Sequence, residues 1–427
     1  MFWQKDIETA DRSEIEKLQL KMLNNTIERA KKSKFYGGKL KNIQNIKDIK
    51  QIKDLPFTTK EDLRSGFPYD FLCVDLGEAV RLHSSSGTTG NPTVVYHTAQ
   101  DLSNWADISA RCMYTAGARK NDIFQNTMGY GLFTGGLGFH YGAEKLGMLT
   151  IPIGPGNSKR QIWFMKSFGT TVVHILPSYA VRLYHAMIEN GVDPKKDLNL
   201  KIFFLGAEPH TEELRREIQG FYGLKAFNSY GLSEISGPGV AFECDKQNGM
   251  HIWEDFVIPE IVNPDTFEVL PDGEEGELVL TAINRQAMPV IRYRTRDLTK
   301  IIPELCSCGR THRRIARIKG RTDDMMIING VNIFPIQIEK TIMDIPEASK
   351  NYIIEIIKQN YMDKLNIKIE INDNTFGGTL QELEKLKSKI EAKIKEETGV
   401  SPNVNFVDRG SLPVSEGKAK RVYDLRN

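Results

Sequence analysis

Apolar residues along the chain recur alternately at helical and at strand spacing. Residues 13–30 place Ile15, Leu18, Met22 and Leu23 on one stripe, with Ser13 and Glu16 at capping-box spacing, and predict an opening amphipathic helix. Thr171–Leu176 reads as a buried strand, Tyr179–Glu189 as a helix, Lys201–Leu205 as a second strand and Glu212–Gly220 as a second helix. This alternation predicts an α/β fold in which helices cover a parallel sheet. From about Glu260 the texture changes. Short strands (Glu277–Ala282, Val290–Tyr293) lie between Asn-Pro-Asp and Pro-Asp-Gly turns and predict a small antiparallel or β-barrel-like subdomain. After Arg321, the runs Ile333–Met343, Tyr352–Ile357 and Leu365–Ile371 predict a small α+β domain. A late helix in it carries Leu380, Leu383, Leu386, Ile390 and Ile394 and closes near Gly399.

Composition narrows the class. A chain of 427 residues has room for two to four domains or subdomains. Its net charge of +2 gives no field suited to nucleic acid or an anionic membrane. Five cysteines, an odd number, argue against a disulfide framework and for a reducing cytoplasm. The first residues lack the apolar stretch of a signal peptide. The long uncharged run Ile123–Ala143 contains Gly129, Gly131, Gly135, Gly136, Gly138, Gly142 and His140, a composition unsuited to a spanning helix. A soluble cytoplasmic protein is expected.

The most informative segment is His83–Val95, HSSSGTTGNPTVV. Its glycines let backbone N–H groups approach an anion and its hydroxyls add donors, so it predicts a phosphate-binding loop leading into a strand. The spacing of the nucleoside-triphosphatase loop, G-x-x-x-x-G-K-[ST], is absent, and Asn91 stands where a lysine would sit.

Ser-Ser-Ser-Gly-Thr-Thr-Gly-Asn-Pro-Thr resembles the phosphate loop of the adenylate-forming acyl-CoA synthetases, and further motifs follow in order. LGAEP (205–209) and NSYGLSE (228–234) are similar to the adenine-binding strand and loop, and YRTRD (293–297) to the ribose-binding motif. GRTDDMMIINGVNIFP (320–335) is similar to the interdomain hinge, and LPVSEGKAKR (412–421) to the C-terminal lysine loop. With YGLFTGGLGFHYGAEKLG (130–147), the chain resembles the phenylacetate–CoA ligase branch most closely.

The resemblance implies a large domain over residues 1–322 and a mobile lid domain over 323–427. It implies ATP or AMP binding by Ser85, Ser86, Gly87, Thr88, Thr89, Gly90, Gly206, Ala207, Glu208, Pro209, Asn228, Ser229, Tyr230, Gly231 and Ser233, together with Asp297, Arg310 and Arg321. Tyr230 would lie against the adenine, Asp297 would accept both ribose hydroxyls, and Glu234 would hold Mg²⁺ on the phosphates. Lys418 would reach the α-phosphate and the substrate carboxylate, with Thr89 and Glu234 completing the catalytic set. Asp323 would be the hinge. For Arg310, surface ion pairing is an equal alternative.

Tyr130, Phe133, Phe139 and Tyr141 could line a slot for a flat acyl group, with Ile235 and Pro238 opposite. The other reading of the same stretch is a glycine-rich helix packed closely on a sheet. Cys244, His251, Cys306 and Cys308 suit a tetrahedral Zn²⁺ by ligand type, although their spacing is not that of a standard finger. In similar chains a Cys-x-Cys-Gly-Arg segment recurs near this place, and a structural site is implied. Cys73 and Cys112 are expected as buried apolar residues.

The resemblance thus implies ligation of phenylacetate or a related aryl acid to coenzyme A, with ATP and Mg²⁺, in a cytoplasmic homodimer that engages neither nucleic acid nor membrane. Its rivals are an enzyme for another aryl acid, one that loads a carrier-protein thiol, and a nucleotide-binding scaffold without catalysis. Three departures stand out: Asn91, His210 after Glu208-Pro209 where an aromatic is expected, and Asn329 where arginine is frequent.

Overall fold

A nine-stranded mixed sheet organises the larger part of the chain. The computed structural model describes residues 1–85, 91–132, 134–345, 347–359, 362–371, 380–413 and 420–426. They fall into two units: Met1–Ala207 with Tyr222–Ile318, and Glu208–Phe221 with Lys319–Asn427.

In the first unit five parallel strands lie side by side in the order Lys225–Leu232, Ile202–Gly206, Val172–Ile175, Ile123–Asn126, Leu149–Ile151. Val172–Ile175 and Ile202–Gly206 are buried at every position, as continuous apolar runs in a sheet covered on both faces should be. Gly237–Glu243 and Met250–Ile252 extend the sheet antiparallel. Helices fill the connections. Pro177 opens Pro177–Glu189 at a position where its missing N–H costs nothing. Thr98 caps Ala99–Thr115, accepting from the Asp101 N–H at 3.1 Å while its own N–H donates to the Asp101 carboxylate at 2.9 Å.

The expected amphipathic helix spans Arg12–Ala30, after a single turn at Lys5–Glu8, with Ile15 and Leu23 fully buried. Its cap differs from the sequence expectation. Asp11, not Ser13, is the N-cap, and its N–H donates to the Glu14 carboxylate at 3.2 Å. Aspartate caps as well as serine does, and Glu14 stands in the third helical position, so the pair two residues earlier prevails. In the antiparallel subdomain, strands Val257–Val262, Gly276–Ala282 and Tyr293–Thr299 pair in sequence. The last begins at Tyr293 rather than Val290, because Arg292 is left-handed (φ 44°) and directs its guanidinium into a buried fork on Glu260 at 2.9 and 3.0 Å.

In the second unit a four-stranded sheet has the order Asn403–Val407, Met362–Glu370, Tyr352–Gln359, Val422–Asp424. Helices Pro335–Met343 and Leu380–Thr398 contribute Ile338, Ile342, Ile390 and Ile394, all fully buried. The hairpin Met326–Ile328/Val331–Ile333 turns on Asn329 and Gly330 (φ 49° and 84°), the backbone of a tight two-residue turn that asparagine and glycine adopt most readily. Asn329 also exchanges hydrogen bonds with the backbone of Asp363 at 2.9 Å each way. Turn geometry thus accounts for an asparagine here. Among the described residues no helix is long and apolar enough to cross a membrane.

Candidate active site

Several of the expected nucleotide residues of the first unit, Gly206, Ala207 and residues 228–231, lie at the C-terminal ends of two adjacent parallel strands, where open α/β sheets bind ligands. Gly206 and Ser229 are register partners at the ends of adjacent strands. Just beyond, Ala207 is left-handed (φ 64°), a conformation that costs a non-glycine residue about 1 kcal/mol or more. Asn228 is held by its N–H donating to the buried Glu243 carboxylate at 2.7 Å. The Ser229 hydroxyl is buried and has no hydrogen-bond partner among the described residues. Tyr230 Oη donates to Asp297 Oδ2 at 2.6 Å, which joins the adenine-loop and ribose motifs across 67 residues of sequence. Asp297 is in turn oriented by its N–H, which donates to Thr295 Oγ1 at 3.1 Å.

The hydroxyls of Ser233 and Thr134 lie 2.9 Å apart. Glu234 is half-buried, and its carbonyl accepts from Arg285 Nη1 at 3.3 Å. Its carboxylate makes no hydrogen bond or ion pair among the described residues, which leaves two oxygens for a hard cation. Arg285, which no sequence signal marked, also donates to the Tyr96 carbonyl at 2.6 Å and so ties the Glu234 loop to the strand behind the phosphate loop.

The strands on either side of that loop, Ala79–Ser84 and Val94–Thr98, pair antiparallel. Ser85 closes its base, its N–H donating to the Thr93 carbonyl and its Oγ accepting from the Thr93 N–H, both at 3.0 Å. Ser86, Gly87, Thr88, Thr89 and Gly90 lie outside the described residues, as do Phe133 and Lys418. Asn91 Nδ2 is 3.5 Å from the Arg64 carbonyl.

The stretch 130–147 divides between its two readings. Gly135–Leu146 is a helix packed against Ala99–Thr115. A Cβ on Gly138 would come within 2.7 Å of Trp105 and 2.8 Å of Pro238, and one on Gly142 within 2.8 Å of the Ser109 backbone. These glycines serve close packing. Phe139, expected in the acyl slot, is fully buried against His174, Phe204 and Phe242, because it faces the sheet. Ile235 is likewise core. Pro238 packs beside Trp105, whose indole N–H donates to the Pro238 carbonyl at 3.0 Å.

Tyr130 and Tyr141 remain half-buried. Tyr130 Oη accepts from Asn126 Nδ2 at 3.0 Å and meets His140 Nδ1 at 3.2 Å, while burial raises its pKa to about 12. Tyr141 Oη accepts from Arg81 Nη2 at 2.9 Å.

Arg310 makes its contacts with the N-terminal residues and with Thr115 rather than with any other expected nucleotide residue. Its guanidinium is buried, donating to Glu8 at 2.7 Å, the Met1 carbonyl at 2.8 Å and Thr115 Oγ1 at 3.0 Å. Its Nη1 lies 3.7 Å from Cys308 Sγ, and these partners take up its donors.

In the second unit, Arg321 forms a fork on Asp323, with Nε and Nη2 each 2.8 Å from a carboxylate oxygen. The expected nucleotide arginine and the expected hinge acid therefore hold one another. Glu208 and Pro209 also belong to this unit. His210 is buried and its Nδ1 lies 3.3 Å from the Glu208 carbonyl. Arg421, which follows the lysine-loop residues, sits over the Tyr352 ring at 4.3 Å, and Tyr352 Oη donates to the Glu339 carboxylate at 3.2 Å.

The ligand atoms of Cys244, His251, Cys306 and Cys308 all lie within 4.8 Å of one another. The Cys244 and Cys306 sulfurs are 3.7 Å apart, against about 3.8 Å for two sulfurs of a zinc tetrahedron with bonds of ~2.3 Å. His251 Nδ1 faces the His312 carbonyl at 3.2 Å, so Nδ1 carries the proton and Nε2, 3.3 Å from Cys308, is the nitrogen that could ligate a metal. The pKa of Cys308 falls to about 2, chiefly through the hydrogen bond from Cys244 and then through the His251 ring, while that of Cys244 rises. The cluster thus favours a thiolate at Cys308 and a protonated thiol at Cys244, one proton shared between two sulfurs. Cys73 and Cys112 are buried thiols whose pKa values burial raises to about 11 and about 12.

Comparison with known proteins places the chain. The AMP-binding enzyme family matches residues 41–285, and the AMP-binding enzyme C-terminal domain matches 330–426. The chain is 44% identical over 376 residues to a phenylacetate-coenzyme A ligase of Escherichia coli (strain K12), covering 88% of this chain and 85% of that one. It is 42% identical over 428 residues to one of Aromatoleum evansii, covering 98% and 96%. The crystal structure of 2-hydroxyisobutyryl-CoA ligase in the postadenylation state with 2-HIB-AMP superposes with a TM-score of 0.93 at 27% identity, covering 99% of this chain and 92% of that one. The chain belongs to the AMP-binding enzymes and, within them, to the phenylacetate-coenzyme A ligase family.

Proposed function

We propose that this chain activates phenylacetate, or a closely related arylacetic acid, and joins it to coenzyme A. As an AMP-forming acid–thiol ligase it works in two displacements. A carboxylate oxygen attacks the α-phosphorus of ATP and the bond to pyrophosphate breaks. The coenzyme A sulfur then attacks the acyl carbon, the bond to AMP breaks and the thiol proton is released. Family membership across the nucleotide motifs and the 130–147 stretch carries the choice of acid.

The residue roles are proposed with it. Asp297 accepts the ribose hydroxyls, with Tyr230 already bonded to it and offering its ring to the adenine. Glu234 would hold Mg²⁺, which when bound would offset the negative charge of the phosphates. Tyr130 and Tyr141 face the acyl group. Lys418 and Thr89 are assigned to the α-phosphate and Asp323 to the hinge between residues 1–322 and 323–427, on the resemblance alone. Zinc at Cys244, His251, Cys306 and Cys308 is proposed as structural, supported by the ligand spacing and the fixed tautomer of His251. A cytoplasmic homodimer is proposed on the resemblance.

Pyrophosphate release tests the reading. It should depend on phenylacetate, exceed that with hexanoate by about tenfold, and yield a thioester once coenzyme A is added. Release that ignores the acid would overturn it.

A further inference from the structure

Residues 306–313, Cys-Ser-Cys-Gly-Arg-Thr-His-Arg, face in two directions. The first half supplies Cys306 and Cys308 to the ligand cluster. The second half holds the N-terminal segment. Arg310 Nε donates to Glu8 Oε2 at 2.7 Å, with side chains only 2% and 0% exposed. Its Nη2 donates to the Met1 carbonyl, and its Nη1 lies 3.7 Å from Cys308 Sγ. The Thr311 N–H donates to the Glu8 carbonyl at 3.1 Å. His312 Nε2 donates to the Ile7 carbonyl at 3.0 Å while its Nδ1 accepts from the Glu254 N–H at 3.0 Å.

A buried guanidinium or carboxylate is costly without its partner, so Arg310 and Glu8 hold their places only together. Three thiolates around a divalent cation leave net negative charge beside Nη1, and the guanidinium then faces an anion on both sides. Ligation fixes the backbone at 306–308 and thereby aims the residues that dock Met1–Asp11.

We infer that metal binding at Cys244, His251, Cys306 and Cys308 is thermodynamically coupled to docking of the N-terminal segment, with Arg310 as the positioning residue between them. The inference rests on the zinc reading of the cluster. Linkage makes it reciprocal: the factor by which zinc favours docking is the factor by which docking favours zinc.

The test uses the full chain. Zinc is first measured by elemental analysis of protein purified without chelator. Hydrogen exchange is then followed by mass spectrometry before and after zinc removal. Exchange within residues 1–12, where the Glu8 and Thr9 N–H groups donate to the Gln4 and Lys5 carbonyls at 3.0 Å, should quicken about tenfold or more. Peptides from Ile202–Gly206, a buried strand of the same unit, should not change, which excludes unfolding of that unit. Glu8→Gln and Arg310→Lys should each lower zinc affinity about tenfold in competition with a chromophoric chelator. Unchanged exchange at 1–12 on zinc removal overturns the coupling, and this arm needs no variant to fold. Wild-type zinc affinity in both variants overturns it equally. Protein that contains no zinc overturns the metal reading itself, so the two failures are distinct.

Discussion

The cysteine cluster and the strand ends that carry Tyr230 belong to one unit and differ in how their polar groups are satisfied. Around Cys308, buried charges and donors are taken: Arg310 by Glu8, His251 by the His312 carbonyl, Arg111 by Asp255 at 2.7 and 2.8 Å. At the strand ends, Ser229 Oγ is buried without a partner among the described residues, Glu234 has an uncommitted carboxylate, and Ala207 keeps a left-handed backbone. Polar groups saturated by the protein stabilise it and have nothing left for a ligand. Groups left short cost stability until a ligand completes them. The first region is built to hold and the second to bind.

The largest effect should come from Lys418→Ala. Removing one preorganised charge contact should slow adenylate formation on the order of 10²–10³-fold. Thioester formation from pre-made aryl-adenylate should change far less and the melting temperature hardly at all. Single-turnover kinetics of each half-reaction decides, and equal losses in both would blur the division between holding and binding. At the other region zinc removal should act on stability first, lowering the melting temperature on the order of 10 °C in calorimetry.

Tyr230→Phe sharpens the contrast within the binding region. Loss of the 2.6 Å bond to Asp297 should raise the KM for ATP by about tenfold, since a bond to a charged group is worth ~1.5–3 kcal/mol. Its melting temperature should stay within about 2 °C, and a larger fall would show that the pair supports the fold more than the nucleotide.

A smaller effect concerns pH. Burial lowers the pKa of His174 from 6.5 to about 3. The unfolded chain therefore takes up a proton that the folded chain refuses between these values, and stability falls as pH drops through that window. The contribution is about 1.4 kcal/mol per pH unit below ~6.5. Chemical denaturation of His174→Phe between pH 6 and pH 5 should show a slope shallower by about that amount. An unchanged slope would mean that His174 is already protonated in the folded state.

Much of the site was legible because its chemistry is local. The hydroxyl-rich turn, the Asn-Ser-Tyr-Gly-Leu-Ser-Glu and Tyr-Arg-Thr-Arg-Asp segments and the cysteine spacing each announce themselves within a few residues. Illegible were positions whose role depends on a distant neighbour. Arg310 looks like any arginine after Cys-Gly until Glu8, 302 residues away, is seen to hold it. Phe139 and Tyr141 sit two apart on one helix, yet one faces the sheet and the other meets Arg81. The cap of the first helix was misplaced because Asp11 and Ser13 both cap well, and only packing of Ile15 and Leu23 sets the register.

By itself the sequence determined the alternation of strands and helices, the order of the nucleotide motifs and the cysteines and histidine that the fold gathers into one cluster. Each of these is written in residue type and short-range spacing, where backbone sterics and side-chain chemistry act directly. Tertiary structure decided that Tyr230 meets Asp297, that Gly138 and Gly142 admit Trp105 and Ser109, and that the arginine beside the cysteines secures the N-terminal segment. Those outcomes depend on which surfaces the sheet brings within a few ångströms. Residues tens to hundreds of positions apart become neighbours only when the core between them is buried.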